Sequence, residues 1–182
     1  MESVRYTDGV VTIRRLEADD LARDLEAKDE EQIRRLWLPG QREKWEAMTD
    51  DEQRAHALAG LVATRDAFGP GPKWEFAVDG PDQPYVAYVD CDLANDQVPH
   101  GEANISYSCH PAHRGHGYVS RAVRLIVEFL RAHTAARRAH IVVDSENTPS
   151  IRVAHAVDAL ETERFINETG RTSVRHVLEL DR

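Results

Sequence analysis

Pro111-Ala112-His113-Arg114-Gly115-His116-Gly117-Tyr118-Val119-Ser120 lies between a strand-like run at residues 103–109 and a strongly amphipathic helical pattern. Two glycines flanking one residue at a strand-to-helix turn let the backbone approach a ligand closely with its N–H groups exposed. Those donors stand at the positive end of the helix that follows, so the expected guest is an anion, phosphate above all.

Working outward, the helix expected at residues 117–134 sets Val119, Ala122, Val123, Ile126, Val127 and Leu130 on one face and Arg121, Arg124, Glu128 and Arg131 on the other. Before the turn, strands are expected at residues 74–78, 85–91 and 102–109, an antiparallel meander with a tight turn at Gly80-Pro81-Asp82. Val10 begins an earlier β-branched run to residue 16. Helical patterns fill residues 19–68, where Leu38-Pro39-Gly40 marks a break. Thr49 and Glu52 form a capping box there, and Ala55, Leu58, Ala59 and Val62 are the expected buried stripe. That helix is expected to end near Gly69-Pro70-Gly71-Pro72.

After the long helix come a short strand at 140–143, a helix starting at Thr148 with Pro149 in its first turn, and closing strands at 161–166 and 173–180. The order β, helices, βββ, α, β, α, ββ describes an α+β protein, a mixed sheet of seven strands with helices on its faces.

A length of 182 residues fits one domain, residues 1–182. The net charge of -9 argues against nucleic acid, which selects a basic face. No run is apolar enough to span a membrane and the N-terminus lacks an apolar leader, so a cytoplasmic protein is expected. The two cysteines, Cys91 and Cys109, fall out of register across the meander and are expected to stay free.

Three anion or metal readings compete for the turn. Gly115-x-Gly117-x-x-Ser120 approaches a dinucleotide fingerprint, with Asp144 ending the next strand. However, five residues separate the strand from Gly115, Ser120 stands where glycine or alanine belongs, and only 38 residues follow Asp144. A Walker loop would need a lysine followed by Ser or Thr after the second glycine. His110, His113 and His116 recur every third residue, a zinc-like spacing only on a helix, and Pro111 with two glycines makes this segment a turn. No metal is expected.

Arg114-Gly115-His116-Gly117-Tyr118 resembles the acyl-CoA-binding motif of the GNAT superfamily of N-acetyltransferases, Gln/Arg-x-x-Gly-x-Gly/Ala, with Val119 at the last, usually small, position. Glu146-Asn147-Thr148-Pro149-Ser150-Ile151-Arg152-Val153 is similar to a segment of the subgroup that acetylates ribosomal-protein N-termini, the RimJ/RimL-like enzymes. Ala159-Leu160 replaces that subgroup's Gly-Phe. Glu102 to Tyr107 resembles its fourth strand.

The resemblance implies a mostly antiparallel sheet of about seven strands and acetyl-CoA as co-substrate. It also implies transfer of the acetyl group to a primary amine, on a protein N-terminus or a small molecule, by direct attack on the thioester. A homodimer is possible on the same ground. The cofactor-binding set is then Ser108, Cys109, His110, Arg114, Gly115, His116, Gly117, Tyr118, Val119, Ser120 and Asn147.

Acyl transfer to an amine needs an oxyanion donor, a proton for the leaving thiolate and an acceptor for the amine's proton. A main-chain N–H in the stretch 104–108 is the expected oxyanion donor, and carbonyl and N–H groups of Ser106, Ser108 and Cys109 are expected to pair with the pantetheine amides. Ser150 is the expected thiolate partner, facing inward with Val153 and Val157, and Tyr107 is a second acid. Glu102 is the candidate base, with Asp90 and Asp92 also expected on an acceptor rim. The helical insert at residues 19–68 and the loop at 94–100 are expected to shape the acceptor pocket, with Trp37 and Trp45 as candidate lining. Helix capping competes for Asn147 and Ser150, and core packing for Tyr107, Trp37 and Trp45. A non-catalytic acyl-CoA sensor that keeps the cleft is the alternative function.

Overall fold

The computed structural model describes residues 4–37, 40–69 and 71–180. Along the chain run β1 (Arg5–Thr7) and β2 (Thr12–Arg15), then α1 (Leu21–Glu26), α2 (Glu30–Leu36), α3 (Gln41–Glu46) and α4 (Asp50–Ala67). The meander β3 (Lys73–Asp79), β4 (Ala87–Asp92) and β5 (Ala103–Cys109) follows, then α5 (Tyr118–His133), β6 (Arg138–Asp144) and α6 (Thr148–Ala156). The hairpin β7 (Leu160–Ile166) and β8 (Thr172–Glu179) closes the chain.

One eight-stranded sheet results, in the order β1-β2-β3-β4-β5-β6-β8-β7. The strand beyond the expected seven is β1, three residues with only Tyr6 partly buried, too short to show a period of two. Its neighbours are antiparallel throughout except β5 and β6, which run parallel and pair only at Ala103↔Ala139 and Asn104↔His140. From Ile105 onward the two strands part. That divergence positions the site.

Alternation along the strands sorts two layers. Phe76, Val78, Val89, Cys91 and Ile105 face α5, whose Val119, Ala122, Val123, Ile126, Val127 and Leu130 are all buried as the pattern predicts. Phe129 adds a ring packed edge-on against Trp74 and Phe76. Burying side chains of this size contributes roughly 1.5–3 kcal/mol each, so α5 is the principal anchor of the sheet. On the other face Ala77 and Tyr85 pack with Leu16, Ala27 and Leu61 beneath α1 and α4.

Helix α4 departs from expectation. Its capping box forms, Thr49 N–H donating to Glu52 at 2.8 Å, but Ala57 and Leu61 are its buried residues, while Ala55, Leu58 and Ala59 are exposed. An alanine-rich helix carries apolar residues on several faces, so periodicity alone misassigns the packed one. The break expected at residues 38–40 falls partly outside the described residues, as does Pro70.

The altered turn at Ala159-Leu160 also has a local explanation. Asp158 takes φ 61°, its N–H donates to the His155 carbonyl, and the Ala159 N–H donates to the Ala154 carbonyl. These two bonds close a Schellman motif with aspartate in the place usually held by glycine. Cys91 pairs with Ile105 and Cys109 with Ala87, so both cysteines are free, as their register requires. No helix among the described residues is long and apolar enough to cross a membrane.

Candidate active site

The turn ahead of α5 adopts the conformation that its glycines permit. Gly115 and Gly117 take φ of 82° and 75°, where an L-residue is strained, and Gly117 is the left-handed N-cap of α5. No described atom lies within 4 Å of where a Cβ would stand at either glycine. With no side-chain cap at Gly117, the first N–H groups of α5 face outward at its positive end. An anion is the complement of such a site.

The turn opens into a cleft of about 480 Å³ where β5 and β6 part. Tyr107, Ser108 and Cys109 form its floor, residues 113–115 and 117–120 one end, and Asn147, Ser150 and Val153 of the α6 segment the far wall. The fourth side is α2, through Glu31, Gln32 and Arg35. Sequence reading gives the helical insert at residues 19–68 to the acceptor pocket and does not place α2 over the turn, because nothing in its local pattern announces which helix lies there.

Strand parity assigns the main-chain groups. His110 N–H donates to the Val86 carbonyl at 3.0 Å, so in an antiparallel ladder the even positions 104, 106 and 108 spend their backbone groups on β4. Ile105, Tyr107 and Cys109 present theirs toward the parted side. The backbone pairing expected of Ser106 and Ser108 therefore moves to Tyr107 and Cys109, and the oxyanion donor within the 104–108 stretch narrows to Ile105 or Tyr107. Ser108 contributes a side chain instead.

Tyr107 spans the gap, its hydroxyl donating to the Ser150 carbonyl at 3.0 Å. Burial pushes this phenol well above its ordinary range, so it stays protonated at neutral pH. The same cause pushes the Cys109 thiol up to about 11, with Arg114 opposing it. Asn147 caps α6, its Oδ1 accepting from the Ser150 N–H at 3.3 Å, and also lines the cleft. Val119 packs its side chain into the α5 core while bordering the cleft. Ser120 and Tyr118 border it as well.

Arg114 is engaged elsewhere. Its guanidinium donates to both Asp29 oxygens, at 2.7 and 2.9 Å, and holds that carboxyl below its ordinary range. Asp29 is the N-cap of α2, so the pair clasps the helical wall to the glycine turn. Two expected ligand contacts do not reach the cleft. His110 is buried, with Nε2 3.3 Å from Glu26 and Nδ1 accepting from the Ala112 N–H. His116 stacks on Tyr118 at 5.4 Å and bonds the His113 and Arg114 carbonyls. His110 and His116 thus serve the shape of the turn, and His113 alone of the three lines the cleft.

The candidate carboxylates are not gathered here either. Glu102 stands at the opposite end of β5 from the cleft, about 17 Å of strand from Tyr107, and is spent on His140 and Arg138. Asp92 caps a turn by accepting from the Ala94 N–H at 2.8 Å. Asp90 is buried beside Tyr88, and burial pushes its pKa up to about 7, against the pull of Lys73. A strand-end position fixed only their rank along the chain, not the end at which the sheet opens.

A second cavity of about 590 Å³ adjoins the cleft, sharing Gln32 and Ser108 with it. Its floor is Glu75 and Tyr88 and its walls are α1, α3 and α4, with Trp37 and Trp45 among the lining. The tryptophans that core packing also claimed line this space.

Comparison with known proteins agrees with this geometry. The sequence profile of the acetyltransferase (GNAT) domain matches residues 11–159. No curated protein matches the sequence. Among solved structures, a GNAT-family acetyltransferase from Bacillus anthracis superposes with a TM-score of 0.76 at 14% identity, over 98% of this chain and 100% of that one. RimJ of Mycobacterium smegmatis, in complex with CoA-disulfide, gives 0.70 at 19% identity over 97% and 85%. The microcin C7 self-immunity acetyltransferase MccE, in complex with acetyl-CoA and AMP, gives 0.69 at 11% over 94% and 93%. These likenesses establish the fold, and the profile match across most of the sequence establishes descent: the chain belongs to the GNAT acetyltransferase family.

Proposed function

We propose that this protein transfers an acetyl group from acetyl-CoA to a primary amine by direct attack. The observation that carries this reading is the continuity of the glycine turn with the opening between β5 and β6. The diphosphate would sit on the N–H groups at the start of α5, and pantetheine would extend along the free backbone edge of Tyr107 and Cys109. Solved relatives with CoA and acetyl-CoA in the same fold support this choice of donor.

The thioester carbonyl would then meet an N–H of Ile105 or Tyr107, which stabilises the oxyanion as the amine attacks. The new C–N bond forms and the C–S bond breaks. The departing thiolate takes a proton from Tyr107 or Ser150, both on the cleft wall, and the donor regains it from water. Burial keeps the Tyr107 hydroxyl in the protonated form that a donor to the thiolate must have. It also makes Tyr107 the weaker acid, so hydrogen bonding to the thiolate is its main contribution. The amine's proton leaves to water, and Glu31, the carboxylate in the cleft lining, is held by Arg35 and Arg114. The reaction needs no group from outside the chain and its two substrates, in keeping with a cytoplasmic acetyltransferase acting as one domain.

Release of free CoA thiol from acetyl-CoA, followed across a panel of amines, tests this reading. Amine-dependent release is expected. Saturable acetyl-CoA binding with no release across the panel would make the protein an acyl-CoA sensor.

A further inference from the structure

The second cavity narrows what the acceptor can be. This inference rests on the transferase reading above. Ser108 belongs to both spaces and pairs directly with Tyr88 across β4 and β5, so an amine in the second cavity reaches the cleft past Ser108.

Charge argues first. Two described carboxylates line the cavity, and both already have partners. Asp24 accepts from the Tyr85 hydroxyl at 2.9 Å and pairs with Lys28, while Glu75 accepts from Lys73 at 3.0 Å and from the Tyr88 hydroxyl. An extended polycation would find no spare counter-charge along its length. Size argues next. An open pocket of about 590 Å³ bordered by α1, α2, α3, α4 and the sheet matches a compact small molecule, and neither edge of the sheet, β1 nor β7, borders it to receive a peptide backbone.

Shape supplies the rest. Trp37 and Trp45 meet edge to face at 5.6 Å and 82°. From α4, His56 meets Trp45 edge to face at 6.3 Å, and one turn on Gly60 lines the cavity without a side chain. Gly60 sits mid-helix, where glycine costs roughly 1 kcal/mol relative to alanine. Packing does not require it, since no described atom lies within 4 Å of a Cβ built there. A bulky side chain at this position would narrow the cavity it borders.

We infer that the acceptor is a compact primary amine carrying a flat aromatic body, seated beside the Trp37–Trp45 pair at the gap that Gly60 leaves on α4, with its amine directed past Ser108 toward the thioester.

The test compares 2-phenylethylamine, tryptamine, spermidine and a pentapeptide with a free N-terminus. CoA release is followed for the native protein, Gly60→Leu and Trp45→Ala, and acetyl-CoA affinity is measured by calorimetry alongside. The aryl amines are expected to exceed spermidine and the peptide at least tenfold in kcat/KM. Gly60→Leu is expected to lower that value at least tenfold while acetyl-CoA affinity and Tm hold. Equal or better use of spermidine or peptide, undiminished aryl-amine turnover in Gly60→Leu, or acetyl-CoA binding with no aryl-amine turnover would each overturn the inference. If acetyl-CoA fails to bind the native protein, or binds with no turnover of any amine, the transferase reading falls as well. Calorimetry together with the spermidine and peptide arms separates those failures from the others.

Discussion

The two cavities meet at Ser108 yet are built by opposite means. The first is made of backbone: glycines at positive φ, the N–H groups that begin α5, and the β5 edge left free when β6 departs. The second is made of side chains from α1, α3 and α4 gathered over the polar face of the sheet. A backbone site tolerates many side chains and leaves a short, contiguous signature. A side-chain site can be rebuilt by scattered substitutions and leaves none. One fold can therefore keep its donor constant and change its acceptor.

Substitutions can separate the two halves, and the largest effect is expected in the first. Gly117→Val forces a β-branched residue into φ 75° and turns the leading N–H groups of α5 away from the ligand. Losing two charge-assisted hydrogen bonds of about 1.5–3 kcal/mol predicts acetyl-CoA binding weaker by at least ~100-fold in calorimetry. Affinity within threefold of native would mean that the turn does not hold the phosphates.

Tyr107→Phe and Ser150→Ala come next, because they remove the proton donors and leave the cradle. At least one of them is expected to lower kcat by roughly tenfold or more with acetyl-CoA affinity unchanged. Full activity in both would move the proton donor elsewhere.

Asp90 offers a pH test beneath the acceptor half. Its folded pKa, about 7, lies above the ordinary carboxyl value, so between those two values the folded state holds a proton that the unfolded chain has lost. Stability from this group is complete at low pH and declines as pH rises toward 7. Asp90→Asn should flatten that decline in urea titrations and raise stability at pH 8 by about 1–3 kcal/mol. An unchanged slope would show that Asp90 ionises freely.

The smallest effect tests the join between the halves. Asp29→Asn keeps the cap of α2 but frees Arg114 from its two-point partner, leaving it, among the described residues, only Glu31 at 3.5 Å beside the turn. Exposed pairs of this kind are worth about 0.2–1 kcal/mol. Acetyl-CoA is expected to bind about two- to threefold tighter, while acceptor KM rises as α2 loosens. Weaker acetyl-CoA binding instead would show that the clasp shapes the cradle.

The same contrast explains what could be read in advance. The order of strands and helices, the buried face of α5, the glycine turn and the inward positions of Tyr107 and Ser150 all follow from local pattern. Three other features depended on distant packing. Glu102 looked available as a strand-end acid until β6 supplied Arg138 and His140. Arg114 carried the motif's charge, but its partner lies eighty-five residues earlier in the chain. The α4 stripe was misplaced because that helix faces a cavity as well as a core.

Amide NMR during a titration with CoA tests the central claim most directly. Binding to the main-chain cradle predicts saturable shifts that are largest at Gly115, Gly117, Tyr118, Val119 and Ser120, reproduced by the adenosine diphosphate portion alone. Saturable shifts confined to other parts of the sheet, with these amides unmoved, would contradict it.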